Sequence, residues 1–574
     1  RDRWLWLEFR RVLFRSIMFN NNKILVVIPA RGGSKGIPRK NLRLLNNKPL
    51  ISYSIDVAKS SKYVDDVVVT TDDDEIALIS DKFGASVIRR SAELASDEVP
   101  LDPVIYDAMI QKEKQAFDEY DIVITIQPTS PFLKVETLDR VIEKFEDFNI
   151  DNVISVMDDR HLNWGYDEDN QRYFPLYRKR VNRQFLPKLY RETGSILASR
   201  RHCVTQDSRL GNNIDLIEVT PEESVDIDNY DDWWVADAYV RKKKIALVVD
   251  AYDVIGTGHV YRCLSIASKL VKHDVMFFLR ENHQLGVDIV NGSNYQYKTY
   301  EGQEELFDLL NEFNPHIVIN DILDTSRKYI ARLQNHGYFV CNFEDLGTGT
   351  ELANVVFDAL YEHELGKENI FTSHKYYILK DEFYFQPHKI ITQTINNVLI
   401  TFGGTDPNNL TDKVLDAILE SGFEGRINVI LGLGYGDVEG IISKHEMNPY
   451  VQIYQSVSNI SEFMFKADII FTSAGRTMYE ICSIGVPTIC LCQNLREKKH
   501  IFGNTNNGFI NMGLGSDVSR QEIIDKFNTL SADFEIREEF NRRMLSVDLK
   551  HGFENIVSIL KEEYRNFELK NDLK

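Results

Sequence analysis

Three times along this chain a short strand-like run breaks into a glycine-bearing loop and then a helical pattern. Ile24–Ile28 (ILVVI) precedes PARGGSKG, Ile245–Val249 (IALVV) precedes a stretch ending IGTGH, and Asn397–Thr401 (NVLIT) precedes FGGTD. Strands that alternate with helices lie parallel and need helices on both faces, so the expected class is α/β. Each restart marks a new folding unit, in keeping with about three or four units for 574 residues. The first unit is read as residues 22–241, with strands at Ile24–Ile28, Asp66–Thr70, Ile122–Ile126 and Asn152–Val156 and a helix at Asn46–Lys59. The charge run Arg241–Lys244 introduces two further lobes, residues 244–390 and 394–565, with a helical tail from Asp533 to Leu560 expected to cross back over the first of them. Residues 1–17 alternate Trp and Leu with Arg and acids, fit neither a secretory nor a mitochondrial leader, and are read as foreign to the fold, with Met18 as the start.

A formal charge of -20 argues against a general nucleic-acid binder, so local basic loops have local jobs. No stretch reaches the ~18 uncharged apolar residues of a membrane span. Six scattered cysteines without metal spacing fit buried packing in a reducing cytoplasm.

The first loop, Ile28–Asn41, places Gly32, Gly33 and Gly36 among Arg31, Lys35, Arg39 and Lys40 at a strand's carboxyl end, where backbone N–H groups and cations can meet an anion. It lacks the Walker A spacing. Further on, Asp226 and Asp228 alternate with apolar residues in SVDID; on a strand both carboxylates would share a face and suit Mg²⁺, although a solvated face fits the residues as well.

The ordered motifs IPARGGSKGIPRKN, RRSAELASD, QPTSP and SVDID resemble the acylneuraminate cytidylyltransferases over about residues 23–240. The resemblance implies a Rossmann-like (GT-A-like) nucleotidyltransferase fold, a homodimer, and coupling of CTP to a nonulosonic acid of sialic, pseudaminic or legionaminic type with release of pyrophosphate. It implies that Arg31, Gly33, Ser34, Lys40 and Asn41 hold the CTP phosphates and sugar, with Arg31 and Lys40 catalytic. Arg90, Asp97, Gln127 and Ser130 would frame the cytidine, and Asp226 and Asp228 would bind Mg²⁺ or Mn²⁺. Arg183, Tyr190 and Arg191 are the candidates for the sugar acid. Two positions depart from the family's pattern: Leu133 stands where many relatives carry a basic residue, and Arg191–Gly194 reads RETG where RPNG is common.

In the second half, His259 follows two glycines at a strand-to-helix turn, where the residues alone leave it open between a packed side chain and a general base. Ser473–Gly475 end a strand before a helix whose N-terminus can hold a diphosphate, and Glu480 one turn on is either a surface acid or a ribose ligand. The order GTGHVYRC, GGTDPNN, SAGRTMYE resembles the UDP-sugar hydrolases of pseudaminic acid synthesis and their spore-coat polysaccharide relatives, over about residues 244–520. That resemblance implies a two-lobed GT-B-like module that hydrolyses a UDP-linked diacetamido trideoxy sugar. His259 would activate water, and Gly404, Thr405, Ser473, Gly475 and Glu480 would hold UDP. Asp321–Asp324 replaces the hydrolases' Asp-His-Tyr run, so a glycosyltransferase or a binding module stays open for this half.

Overall fold

The computed structural model describes residues 22–96, 98–250, 258–361, 367–455, 457 and 459–572. The leader, Asp97 and most of the loop after Val249 lie outside the described residues. The chain divides into two compact units at Lys242/Lys243, inside the basic run.

The first unit is a seven-stranded sheet in the order Ile214–Glu218, Asn152–Asp158, Tyr190–Arg200, Ile122–Ile126, Ile24–Pro29, Asp66–Thr71, Ser86–Arg89. Only Tyr190–Arg200 runs antiparallel to its neighbours. Ile24–Ile28 is fully buried because helices cover both faces, which is why this strand reads as an unbroken apolar run. The chain builds outward from Ile24–Pro29 on one side, then returns to its other side with Ile122–Ile126. That reversal opens a crevice at the strands' carboxyl ends, where the loops after these two strands meet.

Two local expectations are corrected. The helix begins at Leu50, not Asn46: Asn46 and Asn47 both take left-handed backbone (φ 47° and 61°) and turn a hairpin between Leu44–Leu45 and Lys48–Pro49. Val225–Asp228 is not a strand; it is extended coil tied to the sheet's loops by Ile227 N–H donating to the Thr129 carbonyl at 2.9 Å.

The second unit holds two parallel sheets. One has seven strands, Tyr297–Tyr300, Asp274–Arg280, Lys244–Val249, Ile317–Asp321, Phe339–Phe343, Val355–Asp358 and Ile370–Thr372. The other has six, Val451–Gln455, Arg426–Leu431, Asn397–Thr401, Ile469–Thr472, Thr488–Cys492 and Phe509–Leu514. In both, the first strand in sequence lies third in space and the fourth pairs beside it, the doubly wound 3-2-1-4-5-6 order. The two lobes face one another across a cleft, as a GT-B-like module requires. The closing helix Gly552–Asp572 packs on the first lobe, not the second: Tyr564 and Phe567 meet Phe339 at 5.4 and 5.6 Å, and Glu568 pairs with Lys243 at 2.8 Å. All six cysteines are buried and unpaired; Cys490 and Cys492 share one core cluster. No described helix is long and apolar enough to cross a membrane.

Candidate functional sites

The front crevice encloses about 380 Å³. Its lining brings together Arg31, Ser34, Lys40, Asn41, Arg90 and Gln127, from loops that follow three different strands, with Asp228 of the coil at 226–228. Lys40 reaches across it, donating to the Ile227 carbonyl at 2.5 Å and meeting Asp228 Oδ1 at 3.1 Å. Asn41 is buried and donates to the Arg31 carbonyl, fixing the loop's curvature. Arg90 is buried, donates to the Thr70 carbonyl at 2.9 Å, and keeps Nε without a partner; burial and then the neighbouring Arg31 lower its pKa, against the pull of Asp72.

Asp226 is half-buried and its Oδ1 has no hydrogen-bond partner, whereas Asp228 is exposed. Burial raises the Asp226 carboxyl and the charge of Asp228 adds to the rise, against the pull of the nearby Thr129 hydroxyl and of Lys40. The carboxylates are thus brought near Lys40 by a coil and not by a strand's alternation. A Cβ on Gly194, itself left-handed (φ 73°), would lie 3.2 Å from Gln127 Nε2 and 3.6 Å from Asp226 Oδ2, so the RETG stretch borders the same floor.

Other front residues fall elsewhere. Gly33 is exposed with open space over its Cα, outside the lining. Ser130 is buried with an unpartnered Oγ, behind the lining residues Gln127–Thr129. Arg183, Tyr190 and Arg191 are exposed and do not line this cavity; Arg191 lies 3.9 Å from Asp159. Arg39 points at Asp73 and Glu75, at 3.0 and 2.6 Å, and serves the start of the helix Asp74–Lys82. Leu133 packs in the core, where a cation could not go.

Gly36 is the loop's steric keystone. A Cβ there would lie 2.1 Å from the Asp228 carbonyl oxygen, a backbone atom with no rotamer to escape into. Gly36→Ala is therefore expected to push the basic loop off the Asp226–Asp228 coil. The outcome is faster amide exchange across the Arg31–Lys40 loop with little change in melting temperature, measured by hydrogen exchange and calorimetric melting.

The rear cleft encloses about 1140 Å³ and is lined from both lobes. His259, Gly404, Thr405, Ser473, Gly475 and Glu480 all border it. The two switch points explain this: His259 rides the helix after the first strand of lobe one, Asp321 ends the adjacent fourth strand, and the loops Gly403–Thr405 and Ser473–Gly475 occupy the same places in lobe two.

His259 Nδ1 is hydrogen-bonded to Asp321, which is wholly buried. Arg262, one helical turn on, donates Nε to the other Asp321 oxygen at 2.6 Å and Nη1 to Glu344 at 2.9 Å. Burial by itself would raise the Asp321 carboxyl, but Arg262 and His259 outweigh it and hold the group well below the usual carboxylate range. Asp321 is thus an anion at neutral pH, accepts from Nδ1–H, and leaves Nε2 of His259 as the basic nitrogen. Glu344 behaves in the opposite way: burial and then Asp358 push its carboxyl up.

Glu480 is buried and meets Lys380 Nζ at 3.0 Å, so it is no surface acid. Several lining groups lay beyond sequence reasoning. Lys380, Arg476 and Arg496 add cationic charge, and Arg496 bridges Asp324 and the Glu344 carbonyl at 2.9 and 3.2 Å. Glu497 sits beside Ser473 and Ala474 with its carboxyl pushed up to about 7, chiefly by burial. The motif spacing carried a signal only for Arg262, three residues from His259 on one helix face; the rest come from distant loops. Asp406 of GGTDP is a helix cap, accepting from Leu410 and Thr411 N–H at 2.9 and 2.8 Å.

A doubly wound crevice with converging cations at its switch point is the place where an α/β protein of this class can hold an anionic ligand. Residues 25–210 match the family model described as cytidylyltransferase. The chain is 30% identical to the CMP-N,N'-diacetyllegionaminic acid synthase of Campylobacter jejuni over 229 residues, 39% of this chain and 97% of that protein. Through its first unit the chain belongs to the cytidylyltransferase family. It is also 28% identical over 271 residues to the uncharacterized protein MJ1062 of Methanocaldococcus jannaschii, covering 44% of this chain and 56% of that one, so it spans little more than half of that relative. Among solved structures, the Acinetobacter baumannii MurG chain aligns over 56% of this chain and 99% of its own, at 14% identity and a TM-score of 0.42.

Proposed function

We propose that the chain is a bifunctional nucleotide-sugar enzyme of nonulosonic acid synthesis. The front unit couples CTP to a nonulosonic acid: the sugar acid's hydroxyl attacks the α-phosphorus, the α–β bridging bond breaks, and pyrophosphate leaves. The observation that supports this is the convergence of Arg31, Lys40, Arg90 and Asp228 on one crevice at the switch point, with Asp226 outside the lining but near enough to feel the charges of Lys40 and Asp228. Cations placed where phosphate charge develops stabilise the transition state more than the ground state. The unpartnered, half-buried Oδ1 of Asp226 and the nearby Asp228 form a hard-oxygen pair that fits Mg²⁺ or Mn²⁺. When bound, such an ion screens the triphosphate's charge. Asp97 stays a candidate for the cytidine, and Arg183, Tyr190 and Arg191 for the sugar acid. The unit's exposed aromatic hairpin, Trp164–Asp167 with Arg172–Pro175, supports a homodimer built on it; a monomer by light scattering at assay concentration would contradict that.

The rear module hydrolyses a UDP-linked diacetamido trideoxy sugar. Water attacks the anomeric carbon, its proton passes to His259 Nε2, and the carbon–oxygen bond breaks with UDP taking the electron pair. The support is the fixed tautomer: Asp321 holds Nδ1 and Arg262 holds Asp321. Gly404, Thr405, Ser473 and Gly475 would cradle the diphosphate, and Glu480 the ribose. Both reactions are assigned to the cytoplasm, where six unpaired thiols persist.

The test is two assays on the full chain with Mg²⁺. CTP with a panel of nonulosonic acids is expected to release pyrophosphate, and a UDP-diacetamido sugar is expected to release UDP without an acceptor. UDP release only with a sugar acceptor makes the rear module a transferase; no pyrophosphate with any sugar acid rejects the front assignment.

A further inference from the structure

Arg476 stands at the foot of the helix Thr477–Ile484, lines the rear cleft and is half-buried. The other arginines and the lysine of the lining each have an acid of their own. Lys380 meets Glu480 at 3.0 Å, Arg496 meets Asp324 at 2.9 Å, and Arg262 lies between Asp321 and Glu344. Among the described residues no carboxylate pairs with the Arg476 guanidinium and no hydrogen bond holds it. Its nitrogens are not sealed from solvent, unlike the orphaned Nε of Arg90 in the front unit. The group is nonetheless fixed. Its Cζ sits 4.8 Å from the centre of the Tyr377 ring, and the Tyr377 hydroxyl donates to the Arg476 carbonyl at 3.1 Å. Tyr377 stacks on Tyr479 at 4.2 Å and Tyr479 on Phe502 at 4.0 Å, and all three rings are buried. A cation seated on a closed stack has lost its rotamer freedom before any ligand arrives, so binding does not bear that cost.

The position says which part of a ligand this cation meets. Arg476 follows directly on the Ser473–Gly475 turn of lobe two, and its stem runs beside lobe one: a Cβ on Gly258 would lie 3.2 Å from Arg476 Cδ. Gly258 immediately precedes His259, and both border the cleft. Arg476 therefore stands where the diphosphate turn of one lobe meets the base of the other, at the end of the diphosphate that carries the sugar. A half-buried cation without a counter-charge gains most from an anion, and a guanidinium fork matches two oxygens of a phosphate. We infer that Arg476 is a leaving-group residue: it donates to β-phosphate oxygens of the rear ligand and takes up the charge that gathers there as the sugar's carbon–oxygen bond breaks. This rests on the UDP-sugar reading of the cleft.

The experiment measures equilibrium binding of UDP and UMP to the full chain and its Arg476→Met variant, with a melting curve for each. Met keeps the stem beside Gly258 and removes the charge. Arg476→Gln also lacks the charge and takes its place should the Met variant not fold. The parent is expected to bind UDP more tightly than UMP. In the variant UDP is expected to bind about tenfold more weakly, the lower end for losing one hydrogen bond between charged groups, with UMP within about twofold of the parent. The preference for the diphosphate therefore shrinks. UDP affinity that stays within twofold of the parent, or UMP weakened as much as UDP, overturns the inference alone. So does loss of the fold in both variants, which makes Arg476 a structural residue. A parent protein that binds neither nucleotide overturns the UDP-sugar reading and this inference with it.

Discussion

His259→Ala is expected to lower the rate of UDP release by about 10²- to 10⁴-fold, the range for removal of a general base, while CTP-dependent pyrophosphate release stays at the parent rate. The side chain is the one member of its network that can be removed without stranding a charge. Asp321 is wholly buried between His259 and Arg262, and Arg262 is equally enclosed. Truncating either leaves an uncompensated buried ion, at about 3–5 kcal/mol, and would confuse unfolding with lost chemistry. Removing His259 leaves Asp321 with two bonds to Arg262 and Arg262 with its bond to Glu344. Steady-state kinetics should therefore show a fall in kcat with an intact melting transition. Unchanged UDP release in this variant contradicts the base assignment, and a matching fall in both activities points to a general loss of fold.

Lys40→Met is expected to lower pyrophosphate release by about 10²- to 10³-fold, the scale of losing one preorganised charge at a developing anion, with UDP release untouched. Met keeps the stem's volume, so the loop Ile28–Asn41 should stay in place through the Asn41 bond to the Arg31 carbonyl. The variant removes only the ammonium that lies on the Ile227 carbonyl and Asp228. Because Lys40 and Asp228 are adjacent, its loss should also change the Mg²⁺ dependence of the residual rate, measured as the midpoint of a Mg²⁺ titration. A residual rate within threefold of the parent contradicts a catalytic role for Lys40.

The parts of this molecule that were legible from residues are those dictated by local pattern. Ile24–Ile28 and Ile245–Val249 had to be buried parallel strands, because an unbroken apolar run needs cover on both faces. The loops after them had to gather at one edge, because parallel strands all end there. Thus His259, Gly404, Ser473 and Glu480, more than two hundred residues apart at the extremes, line one cleft. What was not legible depends on side chains meeting across the fold. The pairing of Asp226 with Asp228 looked like strand alternation, yet the coil is held by Thr129 and Gly36, which no periodicity reveals. Glu480 read equally as a surface acid until Lys380, one hundred residues earlier, closed over it. Arg39 shared the loop's charge but was claimed by Asp73 and Glu75 of the next helix. Arg496 and Glu497 sit in a loop without a motif and matter only because two lobes converge there.

The central claim is that one polypeptide carries two separate nucleotide sites. Titration calorimetry of the full chain in Mg²⁺ tests it directly, with CTP added to saturation and UDP added afterwards. The account predicts one CTP and one UDP bound per chain, with the UDP isotherm unchanged by bound CTP and abolished by no substitution in the front loop. UDP that displaces CTP, or a single shared equivalent, would contradict it.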